Sequence, residues 1–176
     1  MATLGNHREH NHNADAKRLF NLLGEVKPLA AEYYRLTGRP LGITGEVAEY
    51  EAARLLGVEL SPPRYGYDAI RRVGRRKQRV EIKGRCLPPG ARPGQRLGAI
   101  RLEKEWDVVL MVLLDERFEA TAIYEADRPT ITAALTASGS KARNERGQLG
   151  VAKFKQIGRK IWPSEDGRTR ARIRGR

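Results

Sequence analysis

Apolar residues first recur at helical spacing between Ala14 and Leu36, where Leu19, Phe20, Leu22, Leu23, Val26, Leu29, Ala30 and Tyr33 fall three to four positions apart. Pro28 sits inside that run, so the pattern predicts packing helices that the proline kinks or divides, with no chemistry of their own. Gly38 to Gly42 reads as a loop. Thr44 is placed to cap a second helix, Gly45 to Leu56, whose apolar stripe is Ala48, Ala52, Leu55 and Leu56, with Val47 and Arg54 turned away from it. Glu49 borders the stripe, and a carboxylate at the edge of a buried face needs a reason. Gly57 ends this helix, and Ser61-Pro62-Pro63 forces an extended connection.

Beyond Tyr65 the period changes from helical to two. Val80 and Ile82 alternate with Arg79, Glu81 and Lys83, and a basic turn from Arg71 to Lys77 contains Gly74. Two short strands joined about Gly74 predict Glu81 and Lys83 on one face and bring Asp68 back beside Glu81. Gly84 to Gly98 is too rich in proline and glycine for regular structure. Trp106 to Leu114 is almost continuously apolar, as expected of a central strand buried on both faces. Asp115-Glu116-Arg117 makes a turn, Phe118 to Glu125 gives a partner strand, and Pro129 suits the first turn of a helix reaching about Ala137. Ser138 to Gln148 is polar and basic. In Val151 to Trp162, Phe154, Ile157 and Ile161 are the packing residues.

The hairpin carries a chemical proposal. Two carboxylates a few ångströms apart can hold Mg²⁺ or Mn²⁺ while leaving positions open for water and a phosphate. A lysine beside them can activate the water or stabilise charge developing on phosphorus. An exposed hairpin of alternating charges has the same spacing, so these residues alone leave both readings open.

Asp68, followed after twelve residues by Glu81-Ile82-Lys83, resembles the motif of the PD-(D/E)XK nuclease superfamily, and the acidic helix before the hairpin agrees with it. The resemblance covers roughly Gly45 to Glu125, and Tyr67 stands where the motif usually has proline. It implies an α/β, restriction-endonuclease-like core with a mixed sheet of four to five strands flanked by helices. It further implies metal binding by Asp68, Glu81 and the Ile82 backbone carbonyl, help from Lys83 to the attacking water, and a glutamate from the first helix. Glu49 fits that last role by its place on the wheel; Glu46, in the first turn, is the alternative, and the positive helix end alone would explain it equally well. A homodimer is the default assembly the resemblance implies. A nucleic-acid-binding protein that keeps the fold without cleaving is the competing reading. A basic structural protein on RNA would leave the acids unexplained.

Charge supports a polyanionic partner: 34 Lys and Arg against 21 Asp and Glu give +13 over 176 residues. DNA is the leading candidate, with RNA the other polyanion that this charge admits. Arg85 and Arg96 in the loop after the hairpin, and Lys141, Arg143, Asn144 and Arg146 further on, can all donate to phosphate oxygens. Arginines alternate from Arg168 to Arg176 in a tail expected to stay disordered until it meets a polyanion. Cys86 is the only cysteine, which removes disulfides and cysteine-rich zinc sites and suits a reducing, cytoplasmic setting. His7, His10 and His12 lie in a polar leader, Met1 to Asn13, expected to be disordered. Nothing apolar is long enough to span a bilayer. The expected organisation is a leader over 1–13, one domain over 14–163 with its core at about 45–137, and a basic tail over 164–176.

Overall fold

The computed structural model describes residues 6–62, 65–137 and 146–163, with side chains from residue 17 onward. Helix α1 (Asn6–Thr37) and helix α2 (Thr44–Leu56) precede the sheet. The strands are β1 (Glu59–Leu60), β2 (Ala69–Val73), β3 (Arg76–Cys86), β4 (Val108–Leu114), β5 (Ala120–Asp127) and β6 (Arg159–Trp162). Helix α3 (Arg128–Thr136) follows β5, and helix α4 (Val151–Ile157) precedes β6. The strands lie side by side in chain order, and only β3 and β4 run parallel. The fold is therefore α/β with a six-stranded mixed sheet flanked by helices, where four to five strands were expected. The additions are the short edge strands β1 and β6.

All seven residues of β4 are buried. Val108, Leu110, Val112 and Leu114 pack toward α2, while Val109, Met111 and Leu113 pack toward α3 and α4. Two covered faces are what make an uninterrupted apolar strand stable. Asp127 caps α3 by accepting from the Thr130 N–H at 3.0 Å, with Pro129 in the first turn as expected.

Several details differ from the sequence reading. α1 runs without a break from Asn6 through Pro28, so it takes in much of the expected leader. Pro28 is tolerated on an exposed side of the helix. Thr44 is the first helical residue of α2; Ile43 is the N-cap, and no side chain caps it. Val47 is fully buried rather than outward. Glu51 is fully buried as well, because α1 covers the side of α2 that a single-faced wheel leaves to water. Lys27 of α1 donates to Glu51 Oε1 and to Glu119 Oε1, each at 2.8 Å, and Arg54 donates to Glu51 Oε2 at 2.6 Å. A buried carboxylate with two cations against it is held below its ordinary pKa although burial alone pushes the other way. No helix among the described residues is long and apolar enough to cross a membrane.

Candidate active site

Alternation along β3 sends Val80 and Ile82 into the core under α2 and turns Glu81 and Lys83 to the opposite face. Glu81 is 1% exposed. Lys83 Nζ donates to Glu81 Oε1 at 2.5 Å, whereas Glu81 Oε2 is buried without a hydrogen-bond partner. Glu125 Oε2 also lacks a hydrogen bond, but Arg71 Nη1 lies 2.5 Å from it, so that oxygen has a cation against it. Glu81 Oε2 is thus the exception among the described residues, and leaving such an atom bare costs free energy.

The hairpin is longer and tighter than the sequence suggests. β2 begins only at Ala69, and Val73 already faces Arg76 across a two-residue turn in which Gly74 adopts φ 60°. Ala69 pairs with Val80, and the Asp68 N–H donates to the Val80 carbonyl at 2.9 Å, which sets Asp68 opposite Glu81. Asp68 Oδ2 accepts from the Ile82 N–H at 2.7 Å. The N–H and C=O of one strand residue point to the same edge, so the Ile82 carbonyl also faces the edge where Asp68 stands. Ahead of Asp68, Tyr65 and Tyr67 stack with centroids 5.5 Å apart, and Tyr67 packs on the core beneath α3 and α4. An aromatic anchor thus fixes the chain at the position where the nuclease motif usually has proline.

Glu49 comes to this place from α2. Burial pushes its carboxyl up to about 7, and the charges of Asp68, Glu46 and Glu81 push the same way against the pull of Lys83. Glu46 is exposed in the first turn. Of the two glutamates, Glu49 is therefore the one whose carboxyl answers to the hairpin acids. Among the described residues no group of three His, Cys, Asp or Glu side chains stands close enough to hold a metal ion, and what links Glu49 to the hairpin acids is the coupling of its charge to theirs.

A residue that sequence reasoning missed makes this placement possible. A Cβ on Gly84 would lie 2.5 Å from the Thr44 carbonyl oxygen and 2.6 Å from Ala48 Cβ. Only glycine lets the first turns of α2 rest directly on β3. Its position immediately after Lys83 was the available signal.

The raised Glu49 pKa has a stability consequence. A carboxyl whose folded pKa exceeds the ordinary 4.5 binds its proton more tightly when folded, so the contribution is full below about 4.5 and is lost as pH rises through about 7. Glu49→Gln, neutral throughout, should melt above the parent by on the order of 2–4 °C at pH 8 without divalent ions, allowing for solvent screening. The difference should close toward pH 4. Thermal melts across that range check it, and a constant offset would assign the effect to another group.

The basic residues divide. Arg85 is half-buried and donates through Nε to Gln95 Oε1 at 3.0 Å, and Arg96 Nη1 donates to the Gln148 carbonyl at 2.9 Å. The first ties the irregular loop to β3, and the second, with Leu97 N to Leu149 O at 2.9 Å and Ile100 N to Gly147 O at 2.7 Å, pins it against the segment before α4. Arg85 and Arg92 line a cleft of about 450 Å³ that also meets Thr44 and Gly84, adjoining the Lys83 end of β3. A larger cavity of about 1010 Å³, between α1, α2 and the β4–β5 turn, is lined by none of the candidate acids. Arg146 is exposed. Lys141, Arg143, Asn144 and the arginine tail lie outside the described residues, as do the side chains of His7, His10 and His12. Cys86 donates to the Asp115 carbonyl at 3.0 Å, and burial pushes its thiol up to about 11, which leaves it inert near neutral pH.

No protein-family model and no curated protein matches the chain.

Proposed function

We propose that the protein is a metal-dependent DNA endonuclease of the PD-(D/E)XK type, with α2, the β2–β3 hairpin, β4, β5 and α3 as a restriction-endonuclease-like core. The observation that carries this reading is the bare, buried Glu81 Oε2 beside a lysine that holds the other oxygen. Such an atom suits a cation, and the groups around it suit a hard one. Asp68, Glu81 and the Ile82 carbonyl would hold Mg²⁺ or Mn²⁺ through oxygen, with Glu49 as the further acid. Bound there, the ion would lower the pKa of the attacking water and take up charge on the phosphate.

The remaining chemistry belongs to the chain. The Ile82 N–H orients Asp68, so its second oxygen is directed rather than free to rotate. Lys83, held on Glu81 Oε1, would offer an ammonium to the charge that develops during attack on phosphorus. With a carboxyl near pKa 7, Glu49 can hold or release a proton at working pH. Arg85, Arg96 and Arg146, together with Lys141, Arg143 and Asn144, supply donors to phosphates without reading sequence.

The test is cleavage of supercoiled, linear, single-stranded and branched DNA by the full chain in Mg²⁺ or Mn²⁺. At least one form should be cut, a chelator should abolish cutting, and Asp68→Asn should slow it by on the order of a hundredfold or more. DNA binding with no cutting of any form in either ion would leave the non-cleaving binder in its place.

A further inference from the structure

Seven large apolar side chains are exposed among the described residues, and five of them lie on one line of α1: Leu19 45%, Leu22 47%, Leu29 67%, Tyr33 42% and Leu36 68%. Val26, half-buried, completes a strict alternation of three and four residues from Leu19 to Leu36. This is the a/d seam of a heptad repeat, with leucine at every d position and β-branched Val26 at the central a position.

The seam is not exposed because α1 is loosely placed. A second stripe, one residue further round, docks the helix on the domain. Phe20 meets the Tyr50 ring at 4.9 Å, Ala30 is fully buried, and Lys27 is held between Glu51 and Glu119. Those ion pairs fix the rotation of α1 and turn the seam outward.

We infer that this seam pairs with the α1 seam of a second copy of the chain, as a short, parallel, in-register coiled coil. A heptad line is complementary to another heptad line, and α1 itself supplies one. Charge does not call for a different partner: Lys17, Arg18 and Arg35 are set against Glu25 and Glu32, and Lys27 is already paired within the domain. In register, Arg18 and Glu32 face Leu23 and Thr37 of the second copy, and Glu25 faces the flank where Ala30 is already covered by its own domain, so no like charges meet along the seam. The domain sits on one flank of α1. A parallel pair puts the two domains on opposite flanks, whereas an antiparallel pair would crowd both onto the same one. Roughly 600 Å² would be covered on each copy, about 1,200 Å² in total, the lower end for specific interfaces, which predicts an affinity on the order of micromolar. The inference stands apart from the nuclease reading.

Sedimentation of the full chain over about 1 to 200 µM tests it. The mass should rise from the 19.8 kDa of one chain toward twice that value. Leu22→Glu combined with Leu29→Glu should stay at one chain with an unchanged circular dichroism spectrum, and the milder Leu29→Ala, which decides the matter if the double variant misfolds, should weaken pairing about tenfold. Leu22→Cys should cross-link to its own copy on oxidation, since native Cys86 is buried. A parent at one-chain mass throughout, or a dimer indifferent to Leu29→Ala, overturns the seam. A dimer in which Leu22→Cys fails to cross-link overturns the parallel register.

Discussion

Lys83→Ala is expected to lower the cleavage rate by on the order of a hundredfold or more at saturating Mg²⁺, while DNA affinity changes by no more than about twofold. The substitution removes one ammonium of 34 cationic side chains, so the phosphate-binding surface is nearly intact. What it removes at the site is the donor to Glu81 Oε1. A buried carboxylate without a compensating cation is unstable, so the variant should also melt below the parent in chelator and recover when divalent ion is added. Single-turnover cleavage, filter binding and thermal melts separate these effects. Parent-like cleavage by Lys83→Ala would refute the assigned roles and move attention to acids outside the hairpin.

Gly84→Ala should cost about 1–3 kcal/mol of stability, a drop in melting temperature of roughly 2–12 °C, and should impair cleavage with it. The new methyl would collide with the Thr44 carbonyl and Ala48 Cβ, and the first of these is backbone that cannot swing aside. Relief requires lifting α2 from β3. Because α2 carries Glu49, the same movement takes the third acid away from Asp68 and Glu81. Denaturant titration of the variant checks the first effect, and unchanged stability would show that α2 is free to shift over β3.

The parts of this fold that were legible in the sequence are those fixed by local chemistry. Gly74 and the alternation of Val80 and Ile82 set the hairpin register, so Asp68 does stand opposite Glu81. Trp106 to Leu114 read as a strand covered on both faces, which Val108–Leu114 is, and Pro129 marked the start of α3. What stayed hidden depends on contacts between distant segments. Glu51 is held in the interior by Lys27, which comes from another helix that no local pattern places beside it. Val47 is buried in the core that α2 shares with the sheet and with Ala30 of α1. β1 and β6 are short and borrow their pairing from longer neighbours, so no internal period announces them. The helical wheel favours Glu49 over Glu46, but the closeness of α2 to β3 rests on Gly84, whose role only the packing reveals.

The central claim is that Glu81 Oε2 is a cation ligand, and calcium binding to the full chain tests it most directly, since Ca²⁺ is a hard ion that can occupy such oxygens without supporting cleavage. Titration calorimetry paired with thermal melts should give binding to the parent and a rise of roughly 3–6 °C at ten times the dissociation constant. Glu81→Gln keeps the shape of the side chain and removes its charge, and it should abolish both signals. Identical titrations for the parent and Glu81→Gln, or a parent whose melting temperature ignores millimolar Ca²⁺, Mg²⁺ and Mn²⁺ alike, would contradict the account.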